Sequence, residues 1–306
     1  MGSPVLRLGT RGSPLALTQA RMVRAALMAA HGLAEDAIEI VTVKTTGDIV
    51  QDRALAEIGG KALWTKELDR ALLDGEIDFA VHSMKDVETI RPEAIAIAAM
   101  LPRADVRDRL IGAESIAALR QGARVGTSSP RRAAQLKRVR PDLEITLLRG
   151  NVDTRLGKVA SGEIDATLLA AAGLDRLGRG DVGAAVPIDV MPPAPAQGAV
   201  GIEARADDGA TLALLAAIDD APTHRCVLAE RALLAALNAD CHSPVAALAT
   251  LDGEGLHLRA TLYAADGSAA VDGERQSTGD DAAAAQALAA DLIARAPASV
   301  AALFGG

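Results

Sequence analysis

The chain has 306 residues, 50% of them hydrophobic, enough for sizeable cores and for two or three domains. Its aromatic content is one Trp, one Tyr and two Phe, and its formal net charge is −8, which together exclude the stacking platforms and basic faces of most nucleic-acid binders. The 32 basic residues divide into 26 Arg and 6 Lys, and residues 101–180 hold 13 Arg and 2 Lys against 9 acids, a local excess of +6. Arginine forks match planar carboxylates and phosphates, so an arginine-rich middle in an acidic chain points to a small anionic ligand.

In chain order, residues 5–8 read as a strand. Ser13-Pro14 then supplies a helix cap and a proline at the first helical position, and Gly32 stops that helix after His31. A strand over 37–46, a helix over 61–73 stopped by Asp74-Gly75, and a strand over 78–83 follow. The pattern restarts near 105, with strands at 124–127, 144–148 and 166–170 and helices opening at Pro130 and Asn151. Alternation of this kind implies parallel sheets built from βαβ units. Met191-Pro192-Pro193-Ala194-Pro195 marks a linker, and 198–205 reads as a strand returning to the first sheet. Beyond Pro222 the style changes to a helix over 223–237, three strand-like runs parted by Asp252-Gly253 and Asp266-Gly267, and an Ala-rich helix over 281–296. The expected fold class is α/β, with two βαβ-type domains and a small α+β C-terminal domain carrying an antiparallel sheet. The expected boundaries are 1–101 with 197–219, then 102–196, then 220–306.

Two cysteines, Cys226 and Cys241, cannot make a disulfide framework. Arg7, Arg11, Arg21 and Arg24 interrupt the N-terminal apolar runs, so no signal peptide is expected, and no apolar run reaches the about 18 residues of a membrane span. The expectation is a cytoplasmic protein with a small-molecule ligand and no nucleic acid, membrane or obligate protein partner.

Three strand-to-helix turns carry arginine: Gly9-Thr10-Arg11-Gly12-Ser13-Pro14, Gly126-Thr127-Ser128-Ser129-Pro130-Arg131-Arg132, and Arg149-Gly150-Asn151-Val152-Asp153-Thr154-Arg155. Helix N-termini attract anions, and Arg in a first turn opposes the helix dipole, so its repetition at one structural position suggests a site. Any single one of these arginines reads equally well as solvated or paired with a nearby acid. Between two α/β domains the three turns together suit a polyanion. The strand ending at 83 leads into His82-Ser83-Met84-Lys85-Asp86-Val87. In a crevice lined by arginine, Asp86 is the group able to stabilise a cationic ligand atom, whereas His82 by itself reads as a core histidine. Cys241, beside His242 in the polar loop Asn238-Ala239-Asp240-Cys241-His242-Ser243-Pro244, suits an accessible, reactive thiol. Zinc at His224, Cys226, Cys241 and His242 fits no common ligand spacing, so no metal is expected.

These turns, with Gly59-Gly60-Lys61, Gln197-Gly198-Ala199-Val200-Gly201-Ile202-Glu203 and the Cys241 loop, resemble porphobilinogen deaminases (hydroxymethylbilane synthases), in order from about residue 5 to the C-terminus. The resemblance implies a transferase that joins porphobilinogen units head to tail into a linear tetrapyrrole of haem biosynthesis, with loss of ammonia. The chain would grow on a dipyrromethane cofactor held by a thioether. It implies a monomer, with Asp86 as the catalytic carboxylate and Cys241 as the attachment point. Lys85, Ser13, Thr127, Ser128, Ser129, Arg131, Arg132, Arg149 and Arg155 would bind the cofactor, and Arg11, Arg149, Arg155, Arg176 and Gln197 the substrate. Residues 47–61 resemble that family's mobile lid. Departures are Glu88 where the family has Pro, Pro130 where Leu is commoner, Ala62-Leu63-Trp64 after the Gly-Gly-Lys, and Asp240 where Gly is frequent. The competing reading is a two-lobed solute-binding protein, which would leave Asp86 and Cys241 without a role; a silent descendant of the family would have lost one of the two.

Overall fold

The computed structural model describes residues 6–44 and 65–304. The lid expected over 47–61, the Gly59-Gly60-Lys61 motif, the strand residues expected at 5 and at 45–46, and the first turn of the helix expected from 61 lie outside the described residues. In chain order the first strands are β1 (Leu6–Arg11), β2 (Ile38–Val43), β3 (Phe79–Ser83) and β4 (Ile95–Met100). Next come β5 (Asp108–Ile111), β6 (Arg124–Gly126), β7 (Glu144–Thr146), β8 (Ala166–Ala170) and β9 (Ala184–Ala185). The last are β10 (Val200–Arg205), β11 (Val245–Asp252), β12 (Gly255–Tyr263) and β13 (Ala270–Ser277).

These strands form three sheets, and the chain divides into two compact units, 1–104 with 198–224 and 105–197 with 225–306. The first unit holds the five-stranded sheet β2-β1-β3-β10-β4, with β1 parallel to β2 and β3 and with β10 antiparallel to both its neighbours. The return of 198–205 to the first sheet is therefore observed, between β3 and β4. The helix Pro14–His31 begins as its sequence dictates, with Ser13 Oγ accepting from Ala16 N at 3.3 Å, and ends at Gly32 with φ 64°. It buries Val23 and Leu27 against Leu8, Phe79 and Ile202.

The second unit contains the sheet β7-β6-β8-β5-β9 and the antiparallel meander β11-β12-β13. Leu110, Val125, Leu136, Leu143 and Leu168 form the core of the former. Leu233, Leu258, Leu262, Leu288 and Leu292 form that of the latter, under the helix Asp281–Arg295. Both hairpin turns are where Asp-Gly pairs place them, with Gly253 at φ 56° and Gly267 at φ 74°. Gly267 also needs its missing side chain, because a Cβ there would collide with the Ala134 carbonyl. Among the described residues no helix is long and apolar enough to cross a membrane.

Candidate active site

In the first unit, β1 and β3 are parallel neighbours, so the turns after their C-terminal ends lie side by side. Arg11 closes β1, Ser13 caps the following helix, and Asp86 ends a single 3₁₀ turn (Met84–Asp86) after β3. The turn is held by Met84 N donating to Ala199 O (3.1 Å) and Val87 N donating to Met84 O (3.2 Å). Arg11, Ser13, Gln19, Thr65, Ser83 and Asp86 line one pocket. Gln19 Nε2 donates to Ser83 Oγ at 2.8 Å, so that wall is fixed. Thr65, buried, lines the same pocket, and its hydroxyl has no hydrogen-bond partner among the described residues. A buried hydroxyl left unpaired costs about 1–3 kcal/mol, which a ligand acceptor would recover. Lys85 is half-buried next to Asp86.

The second unit gathers a different set. Thr127 Oγ1 accepts from Ser129 N (3.1 Å), and Ser129 Oγ caps the helix Pro130–Val139 by accepting from Arg132 N (3.4 Å). Ser128 between them is half-buried. Pro130, the departure from the family pattern, sits at the first helical position, where its missing N–H costs nothing. Arg131 and Arg132 are buried and converge on Asp108, which is itself buried at the start of β5. Arg131 Nη2 lies 2.8 Å from Oδ2 and Arg132 Nη2 2.7 Å from Oδ1, while Gln197 Nε2 donates to Oδ1 at 2.9 Å. Burial alone would raise the Asp108 pKa, but the Arg132 and Arg131 guanidinium groups outweigh it and hold the carboxyl far below the usual range. Burial and the neighbouring Arg132 lower Arg131 in turn, against the pull of Asp108.

Asp108 was not singled out by the sequence; an acid followed directly by Arg109 reads as a solvated loop residue until the fold brings Arg131 and Arg132 to it. Its pairing predicts a stability effect. Asp108→Asn leaves two buried guanidinium groups facing a neutral amide and should cost about 3–5 kcal/mol in guanidinium unfolding. The pH dependence has a definite sign: the depressed native pKa means this stabilisation is present above the ordinary aspartate value of about 3.9 and is lost as pH falls below it. The Asn variant should therefore show a shallower acid loss of stability than wild type.

Arg149 follows the buried Leu148 and is half-buried. Arg155 Nε donates to Gly150 O at 2.9 Å, and Asn151 caps that helix by accepting from Thr154 N at 2.9 Å. Arg176 ends the helix Ala171–Arg176, and burial lowers its pKa. Cys241 is exposed whereas Cys226 is buried in the core of the meander. Asp240, a second departure, orders the Cys241 loop: its Oδ1 accepts from His242 N at 2.8 Å and its N donates to Ser243 Oγ at 3.1 Å. Glu88, a third, pairs with Arg91 at 3.3 Å, which offsets its charge. The structure thus brings Arg11, Ser13 and Asp86 together at one pocket of the first unit, and Arg131, Arg132 and Gln197 onto Asp108 in the second, with Thr127 and Ser129 in the turn that opens the Arg131 helix.

The chain matches the family model for the porphobilinogen deaminase dipyrromethane cofactor binding domain over residues 6–213 and that for the porphobilinogen deaminase C-terminal domain over 224–294. It is 61% identical to the porphobilinogen deaminase of Sphingopyxis alaskensis, covering 98% of this chain and 96% of that one. The chain belongs to the porphobilinogen deaminase family. The family's enzyme from Paracoccus denitrificans is 54% identical over 96% of this chain and 95% of its own. Among solved structures, a periplasmic substrate-binding protein of an ABC transporter from Coxiella burnetii is 16% identical with a TM-score of 0.44, over 74% of this chain and 95% of that one. The first of the two family models is the domain that binds the dipyrromethane cofactor. The donor chemistry fits: the exposed one of the two cysteines stands in a polar loop of the same unit that carries the arginine- and hydroxyl-bearing turns.

Proposed function

We propose that this chain joins four porphobilinogen molecules into the linear tetrapyrrole hydroxymethylbilane, releasing one ammonia for each, from a dipyrromethane primer held at Cys241. The observation that carries the reading is the pocket in which Asp86 stands with Arg11, Ser13 and the unpaired Thr65 hydroxyl. The bound dipyrromethane supplies the free pyrrole ring on which growth begins. Asp86 accepts pyrrole N–H and stabilises the positive charge that builds on nitrogen as ammonia leaves. Arg11 takes a substrate carboxylate in that pocket, with Ser13 and Lys85 nearby for further polar contacts.

Thr127, Ser128, Ser129, Arg131, Arg132, Arg149 and Arg155 bind cofactor carboxylates, and Arg149, Arg155, Arg176 and Gln197 serve the substrate's acetate and propionate groups. Two guanidinium groups share the single carboxylate of Asp108, so that cluster keeps one net positive charge for a ligand. We also propose three domains, 1–101 with 197–219, 102–196 and 220–306, in a cytoplasmic monomer that needs no nucleic acid or protein partner; the net charge of −8 disfavours a nucleic-acid partner.

Arg149→Leu and Arg155→Leu should each weaken carboxylate binding by about 1.5–3 kcal/mol, raising KM or slowing cofactor loading roughly 10- to 100-fold without lowering the thermal midpoint. Arg132→Leu should lower the midpoint as well, because Asp108 would lose a buried partner. Equal loss of stability in all three variants with unchanged kinetics would reduce these arginines to structural pairs. The function itself is tested by following ammonia during incubation with porphobilinogen: one ammonia per porphobilinogen consumed supports it, and tight binding without ammonia release supports a solute binder instead.

A further inference from the structure

Tyr263, the only tyrosine of the chain, closes β12 and is buried with Ala134 of the helix Pro130–Val139 and Ala246 of β11. The resemblance gives it no role. Two alanine neighbours leave room for its ring, and its hydroxyl reaches the helix, where Gln135 Nε2 donates to Tyr263 Oη at 3.2 Å. The same nitrogen donates to Pro192 O at 2.9 Å, so both amide protons are taken. Gln135 Oε1 accepts from Arg131 Nη1 at 2.7 Å, four residues back on the same helix face. A guanidinium only donates, so this contact settles which end of the amide is oxygen. Arg131 Nη1 also donates to Pro192 O at 2.9 Å, and Nη2 donates to Asp108 Oδ2. The Nη1 end is thereby fixed. Nε, which has no hydrogen-bond partner among the described residues, and the second Nη2 proton remain for a ligand carboxylate.

The backbone of Tyr263 meets the other anchor of the cofactor. Its N donates at 3.0 Å to Pro244 O, at the end of the Cys241 loop. That loop is closed on itself, Ser243 N donating to Asp240 O at 3.0 Å and Val245 N to Ser243 O at 2.8 Å. One residue of the second unit therefore fastens the cysteine loop through its backbone and Arg131 through its hydroxyl and Gln135.

We propose that Tyr263 and Gln135 are positioning residues for cofactor attachment, holding the Arg131 guanidinium in register with the Cys241 loop. The inference rests on the function proposed above, in which Cys241 carries the dipyrromethane and Arg131 takes one of its carboxylates. A group tethered at one end and held by charge at the other needs both anchors placed before it arrives. Without the phenol oxygen, one Gln135 N–H is buried with no acceptor, and the amide turns away from Arg131 to satisfy it. Nη1 then loses a fixed acceptor, while the pair with Asp108 keeps the helix in place.

The test times cofactor loading by mass. The full chain is made in cells that produce no porphobilinogen, then given porphobilinogen, and growth of the two-pyrrole adduct is followed per folded molecule. Tyr263→Phe keeps the ring and the bond to Pro244 and removes only the hydroxyl. Loading should slow about five- to tenfold, with a thermal midpoint within about 3 °C of wild type. Gln135→Met should slow it at least as much, and the double variant should be no slower than Gln135→Met alone, because Tyr263 acts through Gln135. Loading of Tyr263→Phe within about twofold of wild type, or slowing that multiplies in the double variant, would overturn the proposal. Carbon NMR of wild type, with Cζ of its single tyrosine labelled, decides without any variant. The signal should move when the adduct forms, since Arg131 then carries a carboxylate; a signal that stays in place would refute the coupling. A wild-type chain that gains no adduct would instead sink the function on which the inference rests.

Discussion

Asp86→Asn should fold with an unchanged thermal midpoint and lose turnover by at least about 10²–10³-fold. The substitution is isosteric, and the turn that carries Asp86 is held by backbone bonds of Met84 and Val87 that do not involve its side chain. What disappears is the negative charge facing developing positive charge in a pocket walled by buried groups, where electrostatic interactions are stronger than in water. Steady-state kinetics with porphobilinogen, alongside circular dichroism melting, separates the two effects. A variant that keeps a large fraction of wild-type turnover would remove Asp86 from the catalytic role.

Cys241→Ser should abolish the covalent adduct altogether. Intact-mass measurement of the purified wild type should show two pyrrole units added to the chain, and peptide mapping should place them on the segment containing Cys241. Cys226→Ser should keep the adduct, because Cys226 packs with Leu233, Val245 and Leu258 in the meander core and offers no accessible thiol. It should instead show only a modest change in stability. A wild-type chain of unmodified mass that still makes tetrapyrrole would exclude the tether, and an adduct on Cys226 would move it.

Much of the fold is legible from local signals because those signals agree with the tertiary structure. Ser13-Pro14 and Gly32 bound the first helix, and the Asp-Gly pairs at 252–253 and 266–267 mark the turns of the meander. Strand β4, with the uniformly apolar sequence Ile-Ala-Ile-Ala-Ala-Met, offers no alternation to distinguish it from a buried helix segment. Strand β5 begins with Asp108-Arg109 and so looks like a polar loop. The helix Gly209–Ala216 is capped by Asp208, whose Oδ1 accepts from Thr211 N at 3.0 Å, a signal present in the sequence but set in an Asp-Gly run that looks like a turn.

The site divides in the same way. Placing arginines at helix starts is a local observation, and it picks out Arg131 and Arg132, which the fold pairs with an acid. What neutralises them is not local: Asp108 lies 23 and 24 positions earlier and Gln197 more than 60 later, joined only when β5 pairs with β8. Glu203 lies 121 positions after His82 and comes within 3.2 Å of its ring only when β10 returns beside β3. Glu88 and Asp240, which add charge to the motifs, are each tied up by a neighbour close in sequence.

The most direct measurement is to incubate the purified protein with porphobilinogen and identify the product. The account predicts a linear tetrapyrrole, formed from four porphobilinogen units, that closes on standing in acid and oxidises to uroporphyrin with its characteristic absorption. Porphobilinogen recovered unchanged, or bound without conversion by a protein that carries its two-pyrrole adduct, would contradict it.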